Sequence, residues 1–193
     1  MQQPPGPIGL YDPRNEHDAC GVSFVANMKG IRSNELVVTG LKALTNLEHR
    51  GATGAEPDTG DGAGILLQVP DRLYQEVTDF DLPAAGAYAT GIAFLPADPE
   101  ACEKAMSAID ATVDEVGLQV LGWRDLPIEP DCLGATARRA MPTFKQLFVS
   151  DPGGATGIDL DRKAFVARKR SRRELVGELD TYFGSLSSRT LDY

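Results

Sequence analysis

The stretches "LQVLGWRDLP", residues 118–127, and "PTFKQLFVS", residues 142–150, are two strand-like runs that follow each other along the chain. "ILLQVP" (65–70) and "YATGIAFLP" (88–96) are earlier runs of the same kind, and "TYFGSLSSRTL" (181–191) is a later one. Short apolar and aromatic runs bounded by turn residues are typical of strands. Since the strands outnumber the helices and occur in neighbouring pairs, the sequence predicts an α+β fold of mainly antiparallel sheets with helices on the outer faces.

Three segments have the helical spacing of apolar residues. The first follows Ser33, a residue type that favours an N-cap, and stops at Gly51. The others span 98–116 and 159–180. Ahead of the first helix, the alternating apolar residues of 22–28 predict a strand with one buried side. The chain ends within an apparent strand, so we expect a fragment, because an unfinished sheet edge exposes unpaired backbone groups.

Length and charge exclude several classes of protein. The 193 residues suffice for one sizeable domain, and 19 basic against 28 acidic residues give a net charge of −9. This charge argues against a general binder of nucleic acid or anionic membranes. No run approaches the roughly 18 apolar residues that a membrane-spanning helix needs.

The first 19 residues, "MQQPPGPIGLYDPRNEHDA", form a proline-rich leader. The leader lacks the basic start and apolar core of a secretory signal, so the cytoplasm is the predicted compartment. The three cysteines, Cys20, Cys102 and Cys132, are odd in number and far apart, as expected of thiols that stay reduced.

Cys20 is the first residue after the leader and precedes Gly21. A free cysteine is among the most buried residue types, so packing is its ordinary role. Removal of residues 1–19 would instead give Cys20 a free α-amine, with a pKa of about 7.7–8.0. Such an amine can take the thiol proton and make Cys20 a nucleophile, while Gly21 leaves room for a substrate carbonyl. Position alone leaves both interpretations open.

Arg50 stands at the end of the first predicted helix, within "LEHRGATGAEPDTGDGAGIL" (47–66). A guanidinium at this place can bind a carboxylate with two hydrogen bonds. Alternatively, Arg50 and a left-handed Gly51 form an ordinary helix C-cap. The "GDGAG" of residues 60–64 lacks both the spacing of a dinucleotide loop and the lysine of a P-loop, so it predicts a turn.

Two other features receive structural interpretations. Residues 162–173 contain seven basic and no acidic residues, but apolar residues at helical spacing favour a solvated helix face over a nucleic-acid patch. His17, His49 and Cys20 lack the spacing of a metal site, so no metal is predicted, and a cysteine-based redox or metal protein has little support. Cys102 and Cys132 are predicted to be packing and loop thiols.

Seven stretches occur in a characteristic order along the chain: "EHDACGVSFVAN" (16–27), "LKALTNLEHRGA" (41–52), "TGDGAGILLQVPD" (59–71), "GWRDLP" (122–127), "LFVS" (147–150), "RKAFVARKR" (162–170) and "GSLSSRTL" (184–191). Together they resemble the N-terminal class II glutamine amidotransferase domain of the glutamate synthase large subunit. The resemblance runs from about Leu10 to the last residue. Related amidotransferases usually begin with Met-Cys, whereas a longer leader before the cysteine is a glutamate synthase trait.

The resemblance implies an N-terminal-nucleophile hydrolase fold, a four-layer αββα sandwich that is incomplete here at its C-terminus. It implies that residues 1–19 are removed and that 20–193 is the N-terminal portion of the domain. Cys20 would be the catalytic residue, with Gly21 and Arg50 supporting the substrate site. In the family the thiolate attacks the carboxamide carbon of glutamine, ammonia leaves, and water hydrolyses the thioester to glutamate.

The resemblance also implies partners outside this chain. Ammonia travels to a distant flavin site, where 2-oxoglutarate is reductively aminated. FMN and an iron–sulfur cluster are expected in domains that this chain lacks, so no cofactor is predicted within it. The implied partners are L-glutamine and the remaining domains of the large subunit, with a small reductase subunit as a further candidate.

The sequence departs from the family at the oxyanion site. Family members stabilise the oxyanion with an Asn-Gly pair, but none of the four asparagines of this chain is followed by glycine. Loss of one oxyanion donor can cost roughly 10²–10³ in rate. We therefore expect little or no glutaminase activity from the 193-residue chain alone. The alternative is a non-catalytic fragment that acts as a binding or assembly module.

Overall fold

The computed structural model describes residues 9, 21–51, 56, 58–60, 62–175, 177, 179 and 181–193. The chain divides into two compact units, residues 1–63 and 64–193. The predicted leader, apart from Gly9, lies outside the described residues, as do Cys20 and parts of the acidic, glycine-rich segment 54–64.

Among its described residues, the first unit has one α-helix, α1 (Asn34–Asn46), followed by a 3₁₀ turn at Glu48–Arg50. Helix α1 begins after Ser33, as predicted, although the Ser33 side chain makes no capping hydrogen bond. Gly51 has φ −80° and ψ 146°, which is extended backbone. The predicted left-handed cap at Gly51 is therefore wrong, because the 3₁₀ turn ends the helix without one.

The predicted strand at 22–28 is also wrong. Residues 21–27 have no regular secondary structure, and a turn follows at 28–29. The side chains of Val22, Phe24 and Met28 are 86%, 92% and 103% exposed. Alternation shows which side of a strand could be buried, but a strand also needs a partner backbone. No described strand pairs with this segment.

The second unit contains the described strands of both sheets. These are β1 (Leu66–Gln68), β2 (Tyr88–Leu95), β3 (Gln119–Asp125), β4 (Thr143–Ser150), β5 (Tyr182–Phe183) and β6 (Thr190–Asp192). Four strands form an antiparallel sheet in the order β3-β4-β2-β5, and β1 pairs with β6, also antiparallel. The predicted α+β class with antiparallel sheets is confirmed. The single last strand of the prediction is two short strands that belong to different sheets.

The helices of the second unit are α2 (Asp71–Val77), α3 (Pro99–Glu115), α4 (Ala135–Arg139) and α5 (Gly157–Leu175), with a 3₁₀ turn at Pro130–Cys132. The start of α3 was predictable, because Asp98 accepts a hydrogen bond from the Ala101 N–H at 2.9 Å and Pro99 occupies the first turn. Helix α5 is shorter than the predicted 159–180 at its C-terminal end. Helices α2 and α4 were not predicted, because helices as short as these show little apolar periodicity. No helix of the described residues is long and apolar enough to cross a bilayer.

The four-stranded sheet separates two cores. On one face, Ala89, Ala93, Leu147 and Val149 pack with apolar residues of α3 and α5. The other face carries Tyr88, Ile92 and Phe148, which pack with Tyr74 of α2 and Leu191 of β6. Helices α3 and α5 therefore cover one face of the larger sheet, and the smaller sheet lies with α2 on the other. Helices packed with two antiparallel sheets are consistent with the predicted αββα class.

Candidate active site

Arg50 lies at the last position of the 3₁₀ turn that follows α1. The helix ends because the N–H of Leu47 is shared between the carbonyls of Ala43 (3.1 Å) and Leu44 (2.9 Å), as is common at helix termini. The Arg50 N–H then donates to the carbonyl of Leu47 at 2.8 Å. These local bonds fix the backbone of the turn, although Arg50 itself is exposed.

His49 forms a further hydrogen bond at the same turn. Its Nδ1 lies 3.0 Å from the carbonyl oxygen of Asn46, and because a carbonyl only accepts, Nδ1 is the donor. Within the described parts of the chain, no group of three or more His, Cys, Asp or Glu side chains is arranged to hold a metal ion. The other residues weighed for such a site, His17 and Cys20, lie outside the described residues.

Gly21 lies against the Arg50 turn, although the two residues are far apart in sequence. A Cβ atom at position 21 would stand 3.2 Å from Arg50 Cβ, 3.2 Å from Leu47 Cδ2 and 3.3 Å from Leu47 Cβ. Optimal carbon–carbon contacts lie at about 3.5–4.0 Å. The structure therefore brings together two of the three predicted site residues, Gly21 and Arg50. Glycine is the residue that fits at position 21 without a shift of its neighbours.

Leu47 also approaches Gly21, which sequence reasoning did not predict. The apolar spacing assigned Leu47 to the packing side of the first helix, and it is indeed half-buried. Side chains three residues apart eclipse one another in a 3₁₀ turn. Leu47 and Arg50 have this spacing, and the Cβ atoms of both approach Gly21. The sequence shows the three-residue spacing of Leu47 and Arg50, but only the fold shows that both side chains approach Gly21.

Cys20, the third predicted site residue, lies outside the described residues.

The other two cysteines have the environments that were predicted. Cys102 is buried in the core between α3 and the sheet. Cys132 is exposed, and its Sγ donates to the carbonyl of Glu129 at 3.0 Å. Both are therefore packing or loop thiols.

The basic stretch of residues 162–173 forms most of α5. Its apolar side is buried, as predicted, through residues such as Leu160 and Ala164. Several cations on the other side have partners within the chain: Lys163 contacts Asp151 at 2.6 Å, Arg162 contacts Asp159 at 2.8 Å, and Arg170 contacts Glu115 and Glu174. These pairs support the interpretation of a solvated helix face.

Perturbed ionisable groups of the second unit have structural partners. Burial raises the pKa of Tyr74 to about 12, and its hydroxyl oxygen accepts a hydrogen bond from Gln146 Nε2 at 2.8 Å. Burial also raises the pKa of Asp110, whose carboxylate accepts the indole N–H of Trp123 at 2.9 Å. Sheet and helix packing account for both shifts.

Comparison with known proteins identifies the class of protein. The sequence model of the class-II glutamine amidotransferases matches residues 20–193. The chain therefore belongs to this family, and its α+β fold with antiparallel sheets is consistent with an N-terminal-nucleophile hydrolase domain.

Curated relatives show which enzymes carry a similar segment. The chain is 39% identical over 194 residues to "Glutamate synthase [NADPH] large chain" of Bacillus subtilis, covering 99% of this chain and 13% of that protein. It is 38% identical over 181 residues to "Ferredoxin-dependent glutamate synthase 2" of Synechocystis sp., covering 92% and 12%. It is 35% identical over 198 residues to the chloroplastic/mitochondrial ferredoxin-dependent glutamate synthase 1 of Arabidopsis thaliana, covering 98% and 12%. The chain thus spans about an eighth of the length of these relatives.

Proposed function

We propose that this chain is the N-terminal part of the glutamine-hydrolysing domain of a glutamate synthase large chain, with Cys20 as its nucleophile. The observation that carries the proposal is the extent of the family match, which begins at Cys20 and continues to Tyr193. A family match that starts at a cysteine fits a nucleophile that becomes N-terminal after residues 1–19 are removed.

The names of the relatives support the glutaminase half of the reaction. They specify three electron donors: NADPH in Bacillus subtilis, ferredoxin in Synechocystis sp. and NADH in Schizosaccharomyces pombe. A segment shared by enzymes with different donors fits a step that they have in common, the release of ammonia from glutamine. We assign FMN, the iron–sulfur cluster and any contact with a small reductase subunit to other parts of such an enzyme.

The proposed chemistry needs one thiol, one amine and water. The α-amine of a mature Cys20 takes the thiol proton, and the sulfur forms a bond to the carboxamide carbon of L-glutamine. The tetrahedral intermediate collapses, the C–N bond breaks, and the amide nitrogen leaves as ammonia after taking up a proton. Water then attacks the thioester carbon, which releases glutamate and restores the thiol. In the longer enzyme the ammonia would serve the amination of 2-oxoglutarate.

Gly21 and Arg50 support this chemistry in different ways. Gly21 lets the backbone beside the nucleophile lie close to the turn at the end of α1. Arg50 places a cation at that turn, where it can bind a carboxylate and can stabilise a thiolate. Both roles follow from the proximity of the two residues, and both depend on the assignment of Cys20.

The proposal also limits what the 193-residue chain can do alone. Its sequence offers no Asn-Gly pair to donate hydrogen bonds to the oxyanion. Since one such donor contributes roughly 10²–10³ in rate, the purified chain is expected to release little or no ammonia from glutamine. Ammonia release well above that of a Cys20→Ala variant would contradict this limit.

The assignment of Cys20 is tested by two chemical probes on the purified chain. Cyanobenzothiazole condenses with a thiol and an amine of the same residue, so it labels an N-terminal cysteine and leaves internal cysteines unlabelled. Intact-mass analysis is expected to show the loss of residues 1–19 and one added label. A second form, in which Met1 directly precedes Cys20, provides the mature N-terminus after removal of that methionine. A diazoketone analogue of L-glutamine is expected to alkylate Cys20 of this form.

Matched cysteine variants are the controls. Cys20→Ala should abolish both labels. Cys132→Ala should leave both labels unchanged, because Cys132 is an internal residue in a different turn; since its thiol is exposed, it is the matched control. Equal alkylation of Cys20 and Cys132 by the glutamine analogue would overturn the proposal. That outcome would favour the alternative, a binding or assembly module, which the lack of an Asn-Gly pair supports.

A further inference from the structure

We infer that the exposed side of α5 binds the exposed side of α2 on a second copy of this chain, so that copies associate head to tail. Both surfaces belong to the second unit, both carry exposed apolar residues, and their charges are opposite. The inference goes beyond the proposed glutaminase chemistry and does not depend on the role of Cys20.

The first surface, the basic face, is the exposed side of α5. The opposite side of this helix is buried against the larger sheet. Residues three and four apart share a side of a helix, and the exposed side carries Phe165, Val166, Lys169 and Arg173. Phe165 and Val166 are 52% and 45% exposed, and Lys169 Nζ lies 5.6 Å from the centre of the Phe165 ring. Within the described part of the chain, neither Lys169 nor Arg173 forms an ion pair.

The second surface, the acidic face, consists of the exposed side of α2 and the residues that follow it. Leu73 and Val77 lie one helical turn apart and are 49% and 39% exposed. The face also carries three exposed carboxylates, those of Glu76, Asp79 and Asp81. None of these carboxylates forms an ion pair with another described residue. Arg72 is also exposed and offsets one of the three charges, so the face keeps an excess of negative charge.

The fold prevents the two faces from meeting within one molecule. Helix α5 packs on one side of the four-stranded sheet, and α2 packs on the other side through Tyr74. A contact between the faces therefore requires two copies of the chain. Pairing two basic faces would bring cations together, and pairing two acidic faces would bring carboxylates together, and both arrangements are unfavourable. Opposite charges meet only when α5 of one copy contacts α2 of the next.

This contact is heterologous, because each copy uses two different surfaces. Every assembly then keeps one free basic face and one free acidic face, so association continues beyond the dimer unless the copies close into a ring. Both faces are small, since α2 has only 7 residues. Interfaces that bury less than about 1,200 Å² form weak, transient complexes. We therefore expect weak association that depends strongly on salt.

Sedimentation velocity of the purified chain at increasing concentration measures this association. The average sedimentation coefficient should rise with concentration in about 0.1 M salt and return towards that of the monomer in about 1 M salt, because the screening length falls from about 10 Å to about 3 Å. Phe165→Ala should weaken the association about tenfold, since exposed aromatic anchors carry much of the energy of an interface.

Two charge-reversal variants identify the surfaces. Lys169→Glu with Arg173→Glu makes the basic face negative, and Glu76→Lys with Asp79→Lys makes the acidic face positive. Each variant alone should stay monomeric, because its two faces then have the same sign. An equimolar mixture should associate again, because each face meets an opposite charge on the other variant. Both variants remain net negative, since two reversals of two charges each change the net charge of −9 by four. The rescue therefore reports local complementarity and not attraction between oppositely charged molecules.

The matched control is Lys42→Glu with Arg139→Glu, which changes the net charge equally at two exposed cations outside both faces. It should associate as the wild type does, and circular dichroism checks that all variants remain folded. The inference is overturned if the wild type stays monomeric at every concentration, if the control loses association equally, or if the mixture of variants stays monomeric. Loss of association in the α5 variant alone would also overturn it, because α2 would then not be the surface that α5 contacts.

Discussion

The two units of the chain differ in what holds them together. Helix α1 of the first unit has no buried residue, and Phe24 of the same unit is 92% exposed. The second unit has two cores, in which Leu95, Phe148 and Leu160 are fully buried. Buried apolar surface contributes about 25 cal/mol per Å² to stability. Among the described residues, the second unit therefore holds most of the buried apolar surface, while Arg50 lies on a turn held by backbone hydrogen bonds.

The largest expected effect comes from the core of the second unit. Phe148 is fully buried and packs edge-on against the rings of Tyr74 (5.1 Å) and Phe80 (5.4 Å). Phe148→Ala is expected to lower the free energy of unfolding by about 3–5 kcal/mol, because it removes this contact area and leaves a cavity. Urea unfolding followed by the fluorescence of Trp123, the single tryptophan, measures the change.

Phe24→Ala is the matched substitution in the first unit. Since Phe24 is almost fully exposed, the change is expected to alter the free energy of unfolding by less than about 0.5 kcal/mol. A loss of several kcal/mol in this variant would show that the contrast between the units is false.

The same contrast explains which elements the sequence could predict. Strands β2 and β4 and helix α3 were predicted, because two-sided burial and a capped, apolar-spaced helix leave strong patterns. The strand at 22–28 was wrong, because its alternation is real but its side chains stay exposed. Helix α2 has a single buried residue, Tyr74, so it left no periodic signal.

The candidate site was predictable in part for a related reason. Cys20, Gly21 and Arg50 stand in recognisable stretches, so each could be proposed singly. The approach of Gly21 to Arg50 and Leu47 depends on a contact between distant segments. The three-residue spacing of Leu47 and Arg50 does not specify which distant segment the two residues contact.

A smaller change in the free energy of unfolding is expected from substitution of Asp161, a residue of α5 whose carboxylate side chain is 12% exposed. It accepts hydrogen bonds from the Ser188 N–H (2.6 Å), the Ser188 and Ser187 hydroxyls and Arg189 Nε (2.6 Å). Burial would raise its pKa, but these bonds outweigh burial and hold the pKa below its ordinary value. Asp161→Asn should cost about 2 kcal/mol near neutral pH, because hydrogen bonds to a charged group are lost.

The pH dependence of this loss follows from the lowered pKa. The unfolded carboxyl titrates at about pH 3.9, so the contribution of Asp161 is complete above that pH and disappears as the pH falls through the lower folded value. The difference between wild type and Asp161→Asn in urea unfolding should therefore shrink as the pH falls below the pKa of the unfolded carboxyl. Asp159→Asn is the control. The Asp159 side chain is 67% exposed in its ion pair with Arg162, so this substitution should change the free energy of unfolding little. A difference that stays constant with pH would contradict the role of the charge.

The smallest expected change in the free energy of unfolding comes from substitutions at the two helix caps. Asp98 accepts a hydrogen bond from Ala101 N–H at the start of α3, whereas Ser33 makes no such bond at the start of α1. Asp98→Ala should lower the free energy of unfolding by about 1 kcal/mol, a typical value for loss of a cap. Ser33→Ala should have almost no effect on unfolding followed by Trp123, because no bond is lost and α1 has no buried residue. Equal losses in the two variants would mean that the first unit contributes to the same cooperative transition as the second.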